Sequence, residues 1–185
     1  MRHPHLTIAH QYWKNLINAG RIIDATAGNG HDSIFLLNLL DRGKLSIFDI
    51  QKKALENTKR RIEENLPDKL DLCDFYHKSH DCLDQLFEPE SIDLIVYNLG
   101  YLPGANKNLT TQTSSTIASI KQALKLIKPT KGISITCYPG HIEGQKELYT
   151  IYQLLEELDP KKFQVCYHTW INREKAPTLF WIIKN

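Results

Sequence analysis

The apolar residues of this chain recur at two spacings, which alternate from one end of the sequence to the other. Stretches with an apolar residue every three or four positions predict amphipathic helices. Short runs rich in Ile, Leu, Val and Phe, bounded by Gly, Pro, Asp or Asn, predict strands. Helices are predicted at residues 5–18, 32–41, 53–65, 114–127 and 143–158. Strands are predicted at residues 22–25, 45–50, 70–76, 92–98, 132–138, 163–171 and 178–184.

The order of these elements predicts the topology of the sheet. Strands that alternate with helices form parallel sheets with right-handed crossovers. The last two strands are the exception, because the short connection at residues 172–177 requires an antiparallel pair. The sequence therefore predicts an α/β fold with a seven-stranded, mostly parallel sheet and an antiparallel C-terminal hairpin. This order is typical of the Rossmann-like class I methyltransferase fold rather than of an ordinary dinucleotide-binding domain.

Length and composition narrow the class of protein. The chain has 185 residues, which favours one domain over residues 1–185 that begins with helix 5–18. A net charge of +2 is too small to indicate nucleic-acid binding by itself. No apolar run approaches the ~20 residues of a membrane span, and the N-terminus has no apolar signal core. We therefore expect a cytoplasmic protein that has no membrane partner. We also expect that it holds no metal, because its four cysteines form no C-x-x-C pair.

A glycine-containing turn follows the first strand and predicts a cofactor site. Gly28 and Gly30 allow positive φ and a close backbone approach to a ligand, and the next helix offers unpaired backbone N–H groups. The third glycine of the dinucleotide pattern would fall at Ser33, so the NAD fingerprint is incomplete. Nearby carboxylates suit the amine and sulfonium of S-adenosylmethionine, although Asp24 could instead only tie down the loop. The predicted cofactor-binding residues here are Asp24, Ala27, Gly28, Asn29, Gly30 and Asp32.

Two later segments extend the predicted cofactor site toward an adenosine. Asp49 closes the second strand about 20 residues after the turn, where a carboxylate accepts hydrogen bonds from ribose hydroxyls, and Gln51 follows in the same loop. A helix cap is the alternative role for Asp49. Ser79 and His80 follow the third strand, where either could bond the adenine edge, although a lone histidine is often only a surface residue.

The segment Asn98-Leu99-Gly100-Tyr101 carries the predicted chemistry. It follows the fourth strand and resembles the Asn/Asp-Pro-Pro-Tyr motif of amino-methyltransferases. A carbonyl of Asn98 can accept the hydrogens of an amine and so aim its lone pair, and the ring of Tyr101 can stack on a base. Leu99-Gly100 replaces Pro-Pro, and a tight turn is the alternative. We predict Asn98 and Tyr101 as the catalytic residues.

A second segment, Tyr138-Pro139-Gly140-His141, ends the fifth strand on the same edge of the sheet. Tyr138 and His141 are predicted to bind substrate as a wall of a base pocket. His141 could also take the proton that an alkylammonium must lose before it attacks. A helix-capping turn is the alternative role for this segment.

These motifs together resemble a bacterial family formerly described as rRNA methylases. The resemblance rests on the segments 24–32, 49–51, 98–104 and 138–141 and spans nearly the whole chain. Members of that family methylate the amine of 5-aminomethyl-2-thiouridine at the wobble position of tRNA. The resemblance implies S-adenosylmethionine as the methyl donor and a tRNA anticodon stem-loop as the partner.

The same resemblance raises the question of how RNA would be held, since the chain carries no separate RNA-binding domain. Arg173 and Lys175, in the final hairpin loop, are predicted to contact the RNA at the rim of the site. Three alternatives stay open: an amine of rRNA or of a small molecule as acceptor, an NAD-dependent oxidoreductase, and an adenosine-binding module without activity. The sequence leaves the oligomeric state open between monomer and homodimer.

Overall fold

The computed structural model describes residues 4–17, 19–100 and 112–185. The five helices in these ranges are α1 (Pro4–Leu16), α2 (His31–Leu39), α3 (Lys52–Asn65), α4 (Thr113–Leu126) and α5 (Ile142–Glu156). The seven strands are β1 (Ala19–Asp24), β2 (Arg42–Asp49), β3 (Cys73–His77), β4 (Ile92–Leu99), β5 (Ile127–Cys137), β6 (Phe163–His168) and β7 (Thr178–Lys184). Two short 3₁₀ helices, Pro67–Leu72 and His80–Gln85, flank β3.

All seven strands join one sheet in the order β3-β2-β1-β4-β5-β7-β6. Strands β1 to β5 pair in parallel, and β7 is antiparallel to both β5 and β6. The predicted mixed sheet with an antiparallel C-terminal hairpin is confirmed. The strand order reverses between β1 and β4, and ligands of open α/β sheets bind beside the carboxyl ends of strands at such a point.

Helices cover both faces of the sheet, and this explains the dense apolar runs of its strands. Successive strand residues point to opposite faces. Ile23 and Ile95 belong to the core under α4 and α5, whereas Ile22 and Leu94 belong to the core under α1, α2 and α3. Burial on both faces holds the strand ends, and therefore the site, on a rigid base.

Five strands differ from the sequence prediction by three residues or more at one end. Strands β1 and β2 begin at Ala19 and Arg42, each three residues before the predicted start. Residues 70–72 form the end of a 3₁₀ helix that starts at Pro67, and β3 begins only at Cys73, which pairs with Leu45. Strand β6 ends at His168, which pairs with Leu179. Since β7 begins at Thr178, residues 170 and 171 have no partner in it.

The largest difference concerns β5, which begins at Ile127 rather than at Gly132. Ile127 was predicted to end the preceding helix, but it is fully buried and pairs with Ile92. The ring of Pro129 cannot continue a helix, and Thr130 adopts a φ of 64°. Burial alone could not distinguish the last turn of a helix from the first residue of a strand here.

Within the described residues, no helix is long and apolar enough to cross a membrane.

Candidate active site

A cleft of about 1830 Å³ opens at the carboxyl edge of the sheet. Segments that follow β1, β2, β3, β4 and β5 line it, together with residues of α1 and Lys175 of the final hairpin loop. The sequence-predicted residues that line the cleft are Ala27, Gly28, Asn29, Asp32, Asp49, Gln51, Ser79, His80, Asn98, Tyr138, His141 and Lys175. A single drug-sized ligand fills ~300–1,000 Å³, so the cleft has room for two nucleoside-sized molecules.

Four predicted site residues do not contribute to this lining. Asp24 and Gly30 lie behind the wall of the cleft, and Arg173 is exposed on the hairpin loop outside it. Tyr101 lies outside the described residues. The other twelve predicted residues come from six separate segments, each of which lies at or after the end of a strand, as their positions in the sequence predict.

The glycine turn is fixed by backbone geometry and by contacts with α3. Gly28 and Gly30 have φ of 54° and 76°. A Cβ on Gly30 would lie 2.9 Å from Cα of Thr58, so a larger residue does not fit there. Arg61 of α3 donates from Nε to the carbonyl oxygen of Asn29 at 2.8 Å. The turn is therefore preformed before any ligand arrives.

Asp24 supports this turn from below. Its carboxyl group is buried and accepts hydrogen bonds from the Ser33 hydroxyl at 2.6 Å and from the Thr26 backbone N–H at 3.2 Å. Burial raises the pKa of Asp24 to about 7. This geometry favours the alternative in which Asp24 ties down the loop, and a direct contact with a cofactor stays a prediction.

Asp49 lies at the end of β2 with its carboxylate oriented by two backbone donors. Gly28 N–H donates to Oδ2 at 2.9 Å, and Gln51 N–H donates to Oδ1 at 2.8 Å. Burial is the main cause that raises the pKa of Asp49. Each carboxylate oxygen accepts more than one hydrogen bond, so the group can still receive hydroxyls from the cleft.

His80 begins a 3₁₀ helix and is a buried histidine rather than a surface one, with 6% of its surface exposed. Its ring meets the ring of Tyr97 edge to face, with centroids 5.7 Å apart. Burial lowers the pKa of His80 to about 4. The imidazole is therefore neutral near pH 7 and presents one donor and one acceptor.

The lowered pKa of His80 gives a stability prediction. The unfolded chain binds a proton at this residue near its ordinary pKa of 6.5, whereas the folded chain binds it only near 4. The free energy of unfolding should therefore fall as the pH drops through this window. Relative to His80→Gln, the wild type should lose about 2 kcal/mol between pH 7.5 and pH 5.

Urea unfolding of both proteins at several pH values measures this effect. Asp24 and the other titrating groups are present in both proteins, so their contributions cancel in the difference. A difference between the two proteins that does not change with pH would contradict a neutral, buried His80.

Asn98 is held by hydrogen bonds on both sides of its amide. Its Nδ2 donates to the Asp32 carboxylate, and the Tyr138 hydroxyl donates to its Oδ1 at 3.3 Å. Its backbone N–H donates to Oγ1 of Thr26 at 2.7 Å. Because an ionised carboxylate can only accept, Asp32 fixes which end of the amide is the NH₂ group. The carbonyl end of Asn98 is thereby directed to the Tyr138 side.

Tyr138 and His141 take different positions in the wall of the cleft. Burial is the main cause that raises the pKa of Tyr138 to about 12, so its hydroxyl keeps the proton that it donates to Asn98. His141 is the N-cap of α5, and its Nδ1 accepts from the Gly144 N–H at 2.8 Å. The Nδ1 lone pair is engaged in this cap and does not serve as a base, so the geometry favours the helix-capping alternative for His141.

Sequence reasoning missed His10, which joins the site from α1. Its Nε2 lies 3.1 Å from Oδ1 of Asp32, and its ring stacks on Phe35 with centroids 3.6 Å apart. Nothing in the spacing of the cofactor motifs points to a residue in helix 5–18. The available signal was His5, which shares the buried face of the helix with Ala9 and Trp13, and His10, which lies next to that face.

In the described part of the chain, no group of three or more His, Cys, Asp or Glu side chains is placed to hold a metal ion. The polar side chains of the cleft are carboxylates, amides, hydroxyls, imidazoles and lysine ammonium groups. These groups suit an organic ligand that carries hydroxyls and amines.

The strand order and the cleft at the switch point define a class I methyltransferase fold. The sequence profile of the family described as "Putative rRNA methylase" matches residues 45–184. The chain belongs to this family.

Three known proteins illustrate the relationship. The "tRNA (mnm(5)s(2)U34)-methyltransferase, chloroplastic" of Arabidopsis thaliana is 31% identical over 186 residues, covering 96% of this chain and 68% of that protein. The crystal structure of a putative rRNA methylase from Clostridium thermocellum is 29% identical, with a TM-score of 0.93 and coverage of 98% and 97% of the two chains. A putative methyltransferase from Streptococcus mutans, solved in complex with SAH, is 28% identical, with a TM-score of 0.88 and full coverage of both chains.

Proposed function

We propose that this protein transfers a methyl group from S-adenosylmethionine to the aminomethyl group of 5-aminomethyl-2-thiouridine at the wobble position of tRNA. The observation that carries the proposal is the clamped amide of Asn98, which offers an oriented carbonyl at the end of β4 beside a preformed glycine turn. The name of the Arabidopsis relative supports the choice of acceptor.

The cleft residues fit S-adenosylmethionine, whose sulfonium supplies an activated methyl group. The glycine turn lets the methionine part approach the backbone. Asp49, already oriented by Gly28 and Gln51, can accept hydrogen bonds from the ribose hydroxyls. Neutral His80 and Ser79 line the cleft after β3, and both can bond the edge of an adenine. The SAH complex of the Streptococcus mutans relative supports this donor.

The acceptor amine reacts with its lone pair. Asn98 Oδ1 accepts an N–H of the amine and so aims the lone pair at the methyl carbon. The new N–C bond forms while the C–S bond breaks, and the electron pair of that bond stays on sulfur. The amine then gives up its extra proton to solvent. Asp32 and Tyr138 hold the Asn98 amide in place during this step.

Methyl transfer with purified protein tests the proposal. The acceptors are tRNA that carries 5-aminomethyl-2-thiouridine, an unmodified transcript of the same tRNA, and ribosomal RNA. We expect the methylaminomethyl nucleoside, detected by mass spectrometry, only with the first acceptor. Methylation of ribosomal RNA would support the alternative acceptor, and donor binding without turnover on any RNA would support a non-catalytic module.

The rim of the cleft should hold the RNA backbone through the final hairpin loop. Lys175 lines the cleft and Arg173 is exposed beside it. The double variant Arg173→Ala/Lys175→Ala should raise the dissociation constant for the tRNA and reduce its salt slope by about one unit per lost phosphate contact. Affinity for the cofactor should stay unchanged. Filter binding at several salt concentrations measures the dissociation constant for the tRNA and its salt slope.

A matched control removes two positive charges elsewhere. Lys59 and Arg60 are exposed on α3 and do not line the cleft. The variant Lys59→Ala/Arg60→Ala should keep the wild-type salt slope. An equal loss of the salt slope in both double variants would contradict RNA binding by the final hairpin loop. It would mean that the RNA binds another surface or that the slope follows net charge alone.

A further inference from the structure

A chain of hydrogen bonds runs across the acceptor side of the cleft and joins four elements of the fold. It starts at His10 on α1, passes through Asp32 on α2 to Asn98 on β4, and reaches Tyr138 after β5. The other end returns to α1, where Nε2 of His5 lies 3.4 Å from the Tyr138 hydroxyl. Helix α1 therefore contacts both ends of a chain that has Asn98 at its centre.

His10 is held firmly in this chain. Its ring stacks on Phe35 with an interplanar angle of 14° and lies against Trp13, which is almost fully buried. Because the carboxylate of Asp32 can only accept, Nε2 of His10 carries the hydrogen of their 3.1 Å contact. Only 26% of the His10 side chain and 12% of the Asp32 side chain are exposed, so water competes weakly for this bond.

The two oxygens of Asp32 are divided between two donors. Oδ1 faces His10 and Oδ2 faces the amide of Asn98. Without the donor at Oδ1, the carboxylate could rotate about its Cβ–Cγ bond, and its hold on Asn98 would loosen. The orientation of the Asn98 amide, and with it the direction of its carbonyl, depends on that hold.

We propose that His10 is a positioning residue for methyl transfer, which acts through Asp32 to keep the carbonyl of Asn98 directed at the acceptor amine. This inference rests on the proposed function for its kinetic consequence, but its structural part concerns the free protein. In this role His10 acts through Asp32. It limits the rotation of that carboxylate and so holds the amide of Asn98.

Two substitutions at His10 separate hydrogen bonding from packing. His10→Phe keeps an aromatic ring on Phe35 and removes the donor to Asp32. His10→Gln restores an N–H donor of similar reach. Tyr12→Phe is the matched control on α1, because it removes the 3.0 Å hydrogen bond to His168 and keeps the ring stacked on Trp181.

We expect His10→Phe to lower the single-turnover rate about 10-fold, less than the ~100-fold cost of misplacing a reacting group outright. The dissociation constants for SAH and for the tRNA should stay near their wild-type values. His10→Gln should recover most of the rate, and Tyr12→Phe should react like the wild type. A wild-type rate for His10→Phe, or an equal loss in Tyr12→Phe, overturns the proposal.

An NMR measurement tests the structural part without any acceptor. The side-chain NH₂ of Asn98, assigned by comparison with Asn98→Ala, should show one proton shifted downfield by its bond to Asp32 in the wild type and in His10→Gln. In His10→Phe that shift should shrink. If the protein does not methylate tRNA, the proposed function fails while this result still decides the role of His10, and an unchanged Asn98 signal in His10→Phe overturns it.

Discussion

Asn98→Ala should lower the single-turnover rate of methyl transfer about 100-fold or more, with little change in the affinity for the cofactor. The substitution removes the carbonyl that would aim the amine, and displacement of a nucleophile by about an ångström costs a factor of this size. The amide of Asn98 is bound to Asp32 and Tyr138, so its orientation is set before the acceptor enters. The measurement is a rapid-quench assay on aminomethylated tRNA with saturating donor.

The control for this substitution is Asn65→Ala. Asn65 ends α3, is exposed and bonds only the carbonyl of Arg61 among the contacts of the described chain. It should react at the wild-type rate. Calorimetry with SAH and a melting curve show whether Asn98→Ala is folded and binds the cofactor. A folded Asn98→Ala protein that transfers methyl groups at the wild-type rate would contradict the role of Asn98 in aiming the amine. The segment would then be only a tight turn.

The fold was largely predictable from the sequence because it depends on repeated local patterns. Each buried strand has a dense apolar run, and each helix has apolar residues at helical spacing. The connection at residues 172–177 is too short for a crossover, and this alone gave the direction of the last strand. The predicted start of β5 was wrong because Ile127 would be buried either at the end of a helix or at the start of a strand. Its partner in the sheet, Ile92, lies far away in the sequence.

The position of the site was predictable for a related reason, whereas its internal bonds were not. Residues that follow parallel strands meet at one edge of the sheet, so Asp49, Asn98 and Tyr138 could be placed in a common cleft from element order. The bond of Asn98 to Asp32 joins residues 66 positions apart, and that of Asn98 to Tyr138 joins residues 40 positions apart. No spacing rule connects such pairs. The first depends on how α2 packs on the sheet, and the second depends on the register of β4 against β5.

Contacts between distant residues also decide the role of Asp24, which sequence reasoning grouped with the cofactor residues. Its place at the end of β1 is correct, and strand alternation turns its side chain to the face that α2 covers. Only the packing of α2 on that face brings Ser33 to the carboxyl group. The hydroxyl of Ser33 draws the carboxyl group into the protein, away from the cleft. A residue at the end of a strand can thus belong either to the site or to its support, and the partner helix decides which.

Asp49→Asn should weaken the binding of SAH by a factor of about 100 or more. Each charge-assisted hydrogen bond from a ribose hydroxyl to the carboxylate contributes ~1.5–3 kcal/mol, and two are expected. The structure adds a second reason, because both oxygens of Asp49 also accept backbone N–H groups, from Gly28 and from Gln51. The NH₂ group of an asparagine would face one of these donors and could not accept from it.

Calorimetric titration with SAH measures the loss, and Asp74→Asn is the matched control. Asp74 lies on β3, does not line the cleft, and pairs with Lys44 at 3.6 Å, with both side chains about half exposed. It should bind SAH as the wild type does. A melting curve of unliganded Asp49→Asn separates a loosened glycine turn from lost ligand bonds. Unchanged affinity for SAH in a folded Asp49→Asn protein would contradict the prediction that Asp49 binds the ribose.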